Sequence, residues 1–503
     1  MLLLWTVLIV VPFHQASAVD VVVVCPSNFG DALTPWLDYR RKDGLEITVI
    51  EPESDAKNLR AKISDAANND TGYVVLVGDA PVFGTPCNVL RQIPMIYSPT
   101  TVTKAWGSTP TLSSDLLFGD FDQDGLPDAA VGRMPVDDPM QLTKLIRRIQ
   151  RHESNEDFGA WRGRIQLVTG VGGFGMMADR AIESVTRTIV TGVLPSETRT
   201  SVAYASEGHP FCPQQPFTDA VVDRYSQGSR FWVYAGHGQI TELDRFPQNA
   251  SGTPVLDQRS VQRLQSPSGN SPIAMILACF TGAMDASEDS IAEEMILSDG
   301  GPIAVLAGSR VTMPYGNTTA AVGLIDAVYG QHLPRLGDAW LSALVEMHQE
   351  TTEDTSTTRV MIDALAAVVS PAGTKLVDER REHMSLYNLI GDPLLKLNHP
   401  KPVSIQVDPG HDLGAAIKVS VNSSIAGDLV LSFDRPLGAV TEGDPNETTV
   451  VSMTGRVKAN IASTMQVIPP ADVQGAMVVR AFISGKDSWA TAATKTIIRQ
   501  ADR

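Results

Sequence analysis

Two residues of this chain stand where side-chain chemistry is possible, His237 and Cys279. His237 closes the run Phe231-Trp-Val-Tyr-Ala-Gly-His237-Gly238. An apolar strand there runs straight into a His between two glycines, and glycine lets the backbone turn sharply and approach a ligand closely. Cys279 closes a second apolar run, Ile273-Ala-Met-Ile-Leu-Ala-Cys279, with a turn at Gly282. In open α/β sheets, sites form beyond the carboxyl ends of the strands. If the two strands are neighbours, both side chains meet at one sheet edge. The chemistry would be nucleophilic, a thiolate that attacks and an imidazole that raises the thiolate fraction and moves a proton. Each residue alone has a plainer reading. His237 would complete a turn, and Cys279 would be a small buried hydrophobe.

Other clusters compete for attention. Asp120, Asp122, Asp124 and Asp128 fall at positions 1, 3, 5 and 9 of a loop with Gly125 at position 6. That spacing resembles a calcium loop, although Val131 stands at position 12 where such a loop wants Glu. Gly170-Val-Gly172-Gly-Phe-Gly175 matches G-x-G-x-x-G between a strand and a helix. A dinucleotide site also needs an acidic residue about 20 positions on, after a strand, and none is convincing. Asp137 or Asp138 would cap a helix that begins at Pro139. Other histidines, His152, His209, His332, His348 and His383, lack a strand-end setting and read as surface or helix residues.

The elements that must position His237 and Cys279 alternate in type. Val21–Val24, Tyr73–Val77, Arg164–Thr169, Arg230–Ala235, Pro272–Ala278 and Pro302–Ala307 read as buried strands. Helical spacing separates them, for example over Asp31–Arg41, Asn58–Ala67, Pro139–Arg151 and Ala178–Val193. This pattern predicts an α/β layer with a mainly parallel sheet. Residues 81–114 read as a long loop. After Asn398-His-Pro-Lys-Pro402 the helical periods vanish, and short alternating segments fit a small immunoglobulin-like β-sandwich.

The chain has 503 residues, 40 Lys+Arg, 57 Asp+Glu and four cysteines. Such a length predicts about three domains, at ~100–200 residues each. A net charge of −17 argues against nucleic-acid or anionic-lipid partners held by bulk attraction. Residues 1–18 combine an apolar stretch with Ala16-Ser17-Ala18, which reads as a secretory signal peptide. Export to the periplasm or the extracellular space is therefore expected, with no membrane span after signal removal. If Cys279 stays reduced, Cys25, Cys87 and Cys212 allow at most one disulfide.

Several ordered segments together resemble one family. They are Gly78-Asp79, Ser114-Asp115, Gly119 to Arg133, Tyr234-Ala-Gly-His-Gly238, Ala278-Cys-Phe-Thr-Gly282, Ser290-Ile-Ala-Glu-Glu294, Gly300 to Arg310 and Asn388-Leu-Ile-Gly-Asp-Pro393. Residues 21 to 397 resemble the gingipain-like cysteine peptidases, which belong with caspases and legumains in the caspase–haemoglobinase fold. The resemblance implies an α/β fold with caspase-like, mainly parallel sheets flanked by helices in two subdomains. The expected boundaries are 19–124, 125–398 and, for the sandwich, 399–503.

It also implies a cysteine endopeptidase acting on protein or peptide substrates through an acyl-enzyme. Cys279 would be the nucleophile and His237 its acid and base. The backbone N–H groups of Gly238 and Cys279 would be the oxyanion donors. Asp128 matches the acidic residue that orients the His, a role that competes with calcium binding and with a plain acidic turn. No cofactor is required for the chemistry, and structural calcium is compatible with the family. A non-catalytic extracellular binding protein of the same fold is the alternative, and a dinucleotide-dependent oxidoreductase the third reading.

Overall fold

A computed structural model describes residues 20–500, apart from 174, 248–251, 351, 353, 354, 371, 372 and 441. The expected signal segment lies outside the described residues. The first half supplies strands β1 (Val21–Val24), β2 (Ile47–Ile50), β3 (Tyr73–Val77) and β6 (Ala130–Met134), with helices α1 (Gly30–Lys42), α2 (Ala56–Ala66) and α3 (Pro139–Glu153). The Val21–Val24 run is buried on both faces. Val21 and Val23 join one apolar cluster, and Val22 and Val24 join another. A side-chain period of two with helices on both faces requires this continuous apolar stretch.

The segment read as a loop over 81–114 contains a hairpin, β4 (Ile96–Pro99) with β5 (Thr111–Ser114). Its Ser, Thr and Pro content hid the strands from apolar-pattern reading. Asp138 caps α3, accepting the N–H groups of Met140 (2.7 Å) and Gln141 (2.9 Å), with Pro139 as the first helical residue.

The second half supplies β7 (Arg164–Thr169), β8 (Arg199–Tyr204), β9 (Phe231–Ala235), the short pair β10 (Arg245–Phe246) and β11 (Thr253–Pro254), β12 (Ile273–Leu277), β13 (Ala304–Gly308) and β14 (Tyr387–Ile390). Its helices are α4 (Met176–Thr188), α5 (Phe217–Ser226), α6 (Gln258–Val261), α7 (Ile291–Leu297), α8 (Pro314–Ile325), α9 (Leu336–His348), α10 (Thr357–Val369) and α11 (Leu376–Leu386). The two halves, expected as separate subdomain sheets, form one ten-stranded sheet in the order β2-β1-β3-β6-β14-β13-β12-β9-β7-β8. The joint is β14. It pairs antiparallel with β13, and one parallel bridge, Ile390 to Arg133, ties it to β6. All other pairs in the sheet are parallel.

The C-terminal strands form two further sheets. One contains β15 (Val403–Gln406), β17 (Ile417–Ser423) and β20 (Ser463–Val467). The other contains β16 (Gly410–Asp412), β22 (Trp489–Arg499), β21 (Gly475–Ser484), β18 (Gly427–Asp434) and β19 (Thr449–Val457). Ile417, Val419 and Val421 of one sheet share a core with Leu431, Phe433 and Val479 of the other. Ion pairs from Asp434 to Arg199 (3.2 Å) and from Asp444 to Arg224 (2.9 Å), and the Arg480 bond to the Ser196 carbonyl (2.8 Å), join this unit to the α/β unit. No described helix is long and apolar enough to cross a membrane.

One buried cation holds α1, α3 and the segment after β14 together. Arg40 is 0% exposed and bonds Glu153 (2.8 and 2.9 Å) and Asp392 (2.6 Å), while Trp36 donates to the same Asp392 oxygen (2.6 Å). Deleting one partner of such a buried group strands the remaining charges. Arg40→Met should therefore lower unfolding stability by about 3–5 kcal/mol, read from urea denaturation. A loss below about 1 kcal/mol would show the cluster to be dispensable.

Candidate active site

The edge that carries His237 and Cys279 is set by strand register. β9 and β12 are adjacent and parallel, with Ala235 paired to Leu277. His237 and Cys279 each follow that pair by two residues. The Gly236 N–H donates to the Leu277 carbonyl (3.3 Å), which extends the pairing into the turn. The glycines are required by close approach. A Cβ at Gly238 would lie 2.8 Å from the Cys279 carbonyl oxygen and 2.6 Å from Thr281 Cγ2. A Cβ at Gly236 would lie 2.5 Å from the Tyr234 hydroxyl and 2.8 Å from Gly170 Cα.

The backbone of His237 is held on both sides. Its N–H donates to Asp244 Oδ2 (3.1 Å), and its carbonyl accepts from the Tyr234 hydroxyl (2.8 Å) and the Asp244 N–H (3.3 Å). Asp244 Oδ2 also accepts the Val171 N–H (3.0 Å). Burial raises the Asp244 carboxyl, while the His237 N–H and the nearby imidazole pull it down. A Cβ at Gly170 would collide with Asp244 Oδ2. The first glycine of the G-x-G-x-x-G motif thus makes room for this carboxylate, with no need of a dinucleotide. Asp244 was missed in sequence because it lies outside any strand or recognised motif. Its one signal was a carboxylate seven residues after the His.

Cys279 is held by the loop that follows β13. The Thr312 N–H donates to Cys279 Sγ (3.4 Å), and the thiol donates to the Thr312 carbonyl (3.6 Å). Burial pushes the thiol up, while the Thr312 contacts pull it down. Phe280, the next residue, has φ of 59°, a left-handed conformation that turns the chain off the strand. Thr312 is fixed in turn. Its Oγ1 accepts from Asn317 Nδ2 (3.2 Å), and Asn317 Oδ1 accepts from the Tyr387 hydroxyl (2.7 Å). Next to it the Met313 N–H donates to His383 Nε2 (2.6 Å), and His383 Nδ1 donates to the Glu379 carbonyl (2.7 Å). His383 lies on helix α11 as one of the histidines expected at surface or helix positions, but it is fully buried. Cys25, Cys87 and Cys212 are also free thiols, and burial pushes Cys25 up to about 12.

The structure does not bring Asp128 to His237. It precedes β6, which β14, β13 and β12 separate from β9. Four strand spacings put the two strands about 19 Å apart. Asp128 is exposed, and its Oδ2 accepts the Phe121 N–H (2.8 Å). It also stands apart from the three acidic residues that do converge, Asp120, Asp122 and Asp124. Asp120 is 1% exposed. Its Oδ2 takes Arg60 (2.7 Å) and the Gly125 N–H (3.0 Å), and its buried Oδ1 has no partner.

The sequence matches the family model described as Peptidase family C25 over residues 14–398. The chain belongs to this family, the gingipain-like cysteine peptidases. Gingipain R2 of Porphyromonas gingivalis (strain ATCC BAA-308 / W83) is 20% identical over 506 residues, covering 94% of this chain and 61% of that protein. The C25 chain thus spans about three-fifths of that relative's length. Among solved structures, the Arg specific cysteine proteinase gingipain R (RGPB) is similar with a TM-score of 0.55 at 15% identity, over 97% of this chain and 100% of that one. The complex of Porphyromonas gingivalis RgpB pro- and mature domains gives 0.54 at 15%, over 95% and 100%. At such identities the likeness is one of fold. In this C25 chain the matched residues end just before the two C-terminal sheets.

His383 gives the nucleophile loop a pH dependence. Burial lowers its pKa from 6.5 to about 4, so the folded state holds it neutral while the unfolded chain protonates from 6.5 downward. Stability from this group is complete above pH 6.5 and is lost as pH falls toward 4, by up to about 3 kcal/mol. Thermal melts from pH 7.5 to 4 should therefore fall more steeply for the wild type than for His383→Gln. Parallel curves would show that His383 titrates normally.

Proposed function

We propose that this chain is a secreted cysteine endopeptidase whose nucleophile is Cys279 and whose acid and base is His237. The observation that carries the reading is the β9–β12 register, which puts the two residues at equal offsets beyond one paired rung. The buried thiol rests protonated. As Cys279 Sγ attacks the peptide carbonyl carbon, His237 takes the thiol proton. The tetrahedral oxyanion is met by the N–H groups of Gly238 and Cys279, which are fixed in place before reaction. His237 then gives its proton to the leaving amine, and the C–N bond breaks to leave a thioester. Water loses a proton to His237 and attacks the thioester. The acid product leaves, and the proton returns to the thiol. Asp244 acts as the positioning carboxylate behind His237, the role the resemblance assigned to Asp128.

The remaining parts of this reading concern the frame. Residues 1–18 act as the export signal. Residues 19–124 and 125–398 form the two portions of the catalytic unit, and 399–503 form an immunoglobulin-like sandwich. Asp120, Asp122 and Asp124 hold a structural calcium ion. The unpartnered, buried Asp120 Oδ1 is the group that fits such an ion. The metal would neutralise three converging carboxylates and brace the start of β6.

Iodoacetamide labelling tests the dyad directly. Cys279 should be alkylated at least about tenfold faster than in His237→Ala, since a thiolate is the reacting form. Peptide turnover should fall by about 10²–10⁴ in His237→Ala, and by less in Asp244→Asn. Equal labelling rates in wild type and His237→Ala would sink the mechanism and favour a binding protein of the same fold. Calcium should raise the melting temperature of the wild type and leave the double variant Asp122→Asn, Asp124→Asn unmoved. An equal rise in both would remove the ion from this loop.

A further inference from the structure

The amino ends of three neighbouring strands gather cations at the sheet edge opposite Cys279. Trp161 and Arg162 sit in the turn before β7, Arg230 directly precedes β9, and Ile273 opens β12. Strand pairing holds these starts level. The Arg230 N–H donates to the Arg164 carbonyl (2.9 Å), and the Ile273 N–H to the Arg230 carbonyl (3.1 Å). Together with the segment 396–401 after β14, they wall a cavity of ≈ 440 Å³. β9 runs from Phe231 to Ala235, so Arg230 lies about 17 Å along the strand from the Ala235–Leu277 rung.

Positive charge is in excess here. Arg162, Arg230, Arg335, Lys396 and Lys401 line the cavity, and Glu153 is the one carboxylate on its described lining. Glu153 is already held by Arg40 (2.8 and 2.9 Å), and Asp43, off the lining, pairs with Lys396 (2.7 Å) and Arg335 (3.8 Å). Arg162 and Arg230 have no carboxylate ion pair among the described residues, although they are only 5% and 7% exposed. Arg162 donates to the backbone carbonyls of Asp157 (3.0 Å) and Asn155 (3.1 Å), and its guanidinium lies over the rings of Phe158 (4.7 Å) and Trp161 (4.5 Å). Arg230 Nη2 donates to His399 Nδ1 (3.3 Å), whose Nε2 donates to the Leu333 carbonyl (2.7 Å). Three buried nitrogens of this wall, Arg230 Nη1, Trp161 Nε1 and His152 Nδ1, have no hydrogen-bond partner among the described residues. Burial and the charge of Arg230 bring Arg162 down to about 10 against the pull of Asp157, and burial lowers Arg230 as well. Two buried guanidiniums that repel each other are costly unless an anion offsets them.

We infer that this cavity binds a multiply charged tetrahedral oxyanion between Arg162, Arg230 and Lys401, either free phosphate or sulfate or the phosphate group of a monoester. Guanidinium forks match the oxygens of such an ion, and a single carboxylate would offset only one of the two buried charges. The site also lies where the two units of the chain meet. The Arg230 guanidinium lies 6.0 Å from the ring of Trp489 on β22. The Lys401 N–H donates to the Trp489 carbonyl (2.7 Å), and Trp489 Nε1 to the Asn398 carbonyl (3.3 Å). A bound ion therefore braces the C-terminal sheets against the α/β unit. None of this depends on the role proposed for Cys279.

The test titrates the full chain at constant ionic strength with sodium phosphate, sodium sulfate, phenyl phosphate and sodium acetate. Binding is read from tryptophan fluorescence, to which Trp161 and Trp489 contribute, and from the melting temperature. Phosphate or phenyl phosphate should give a saturable change in fluorescence and a saturable rise in melting temperature. Acetate should give neither. Saturation is the criterion, because sulfate and phosphate also stabilise proteins by exclusion from the surface, without a plateau. Lys401→Ala, at an exposed position, should weaken phosphate binding by about three- to fivefold. Arg162→Gln should weaken it by about tenfold or more. Tighter binding of phenyl phosphate than of inorganic phosphate assigns the site to an ester, and the reverse order to the free ion; either result supports the inference. Acetate that matches phosphate, or a response to every oxyanion that never saturates, overturns it. Wild-type affinity in Lys401→Ala also overturns it by placing the ion elsewhere, whether or not the Arg162 variant folds.

Discussion

The parallel pairing of β9 with β12 is the constraint on which the site depends. Neither His237 nor Cys279 is positioned by a contact of its own strand alone. The register gives them a common level, and three glycines let the chains after β7, β9 and β12 come together there. Gly170, Gly236 and Gly238 each face another backbone or a polar group at a separation that no Cβ could occupy. A glycine in a strand-end turn is usually argued from dihedral freedom. Here Gly236 and Gly238 lack positive φ, and the demand is for space.

Around this apolar frame the chain buries charge in satisfied clusters. Arg40 with Glu153 and Asp392, Arg133 with Asp115, and Arg310 with Asp285 are each largely hidden from solvent. Such clusters add little net stability over apolar packing, because desolvation offsets much of the attraction. Their geometry is what matters here. Arg133 on β6 reaches the carbonyls of Gly78 (3.2 Å) and Ile93 (2.9 Å), and Arg310 reaches the Thr111 carbonyl (3.0 Å). The long excursion between β3 and β6 is thereby anchored beside the loop that follows Cys279. Directional bonds fix irregular backbone in a way that apolar contacts cannot.

Helix α11 shows where sequence reading stops. Leu376-Val-Asp-Glu-Arg-Arg-Glu-His-Met-Ser-Leu386 is rich in charged residues, and its one residue singled out in sequence, His383, reads as a surface or helix residue. In the fold Glu379, Arg380, Glu382 and His383 are buried, and they bond Gly316 and Tyr315 of α8, Thr101 of the β4–β5 hairpin and Met313 just before α8. Periodicity reports which residues avoid water, so it is blind to polar residues whose partners lie 30 to 280 positions away. The same limit explains Asp128 and Asp244. Both are plausible carboxylates in a one-dimensional list, and only sheet order separates them. Strands β1, β3, β7, β9, β12 and β13 are legible because each is a short, mainly apolar run. The insertion of β14 between β6 and β13 was not, because strand order is decided by packing across the whole chain.

The meeting of His237 with Cys279 and the apolar surface beneath them are two consequences of one arrangement. The residues of β9 and β12 alternate sides, so the face that carries Cys279 two positions after Leu277 also carries Leu277 and Met275 beneath it. Any strand that delivers a nucleophile to its carboxyl end must place its preceding same-face residues directly below that nucleophile. Here those residues are apolar, and α4 and α8 stand off far enough to leave the space open. A change that alters this apolar space without disturbing Cys279 therefore has to come from the helices, since a strand substitution would also shift the packing that holds the thiol in register.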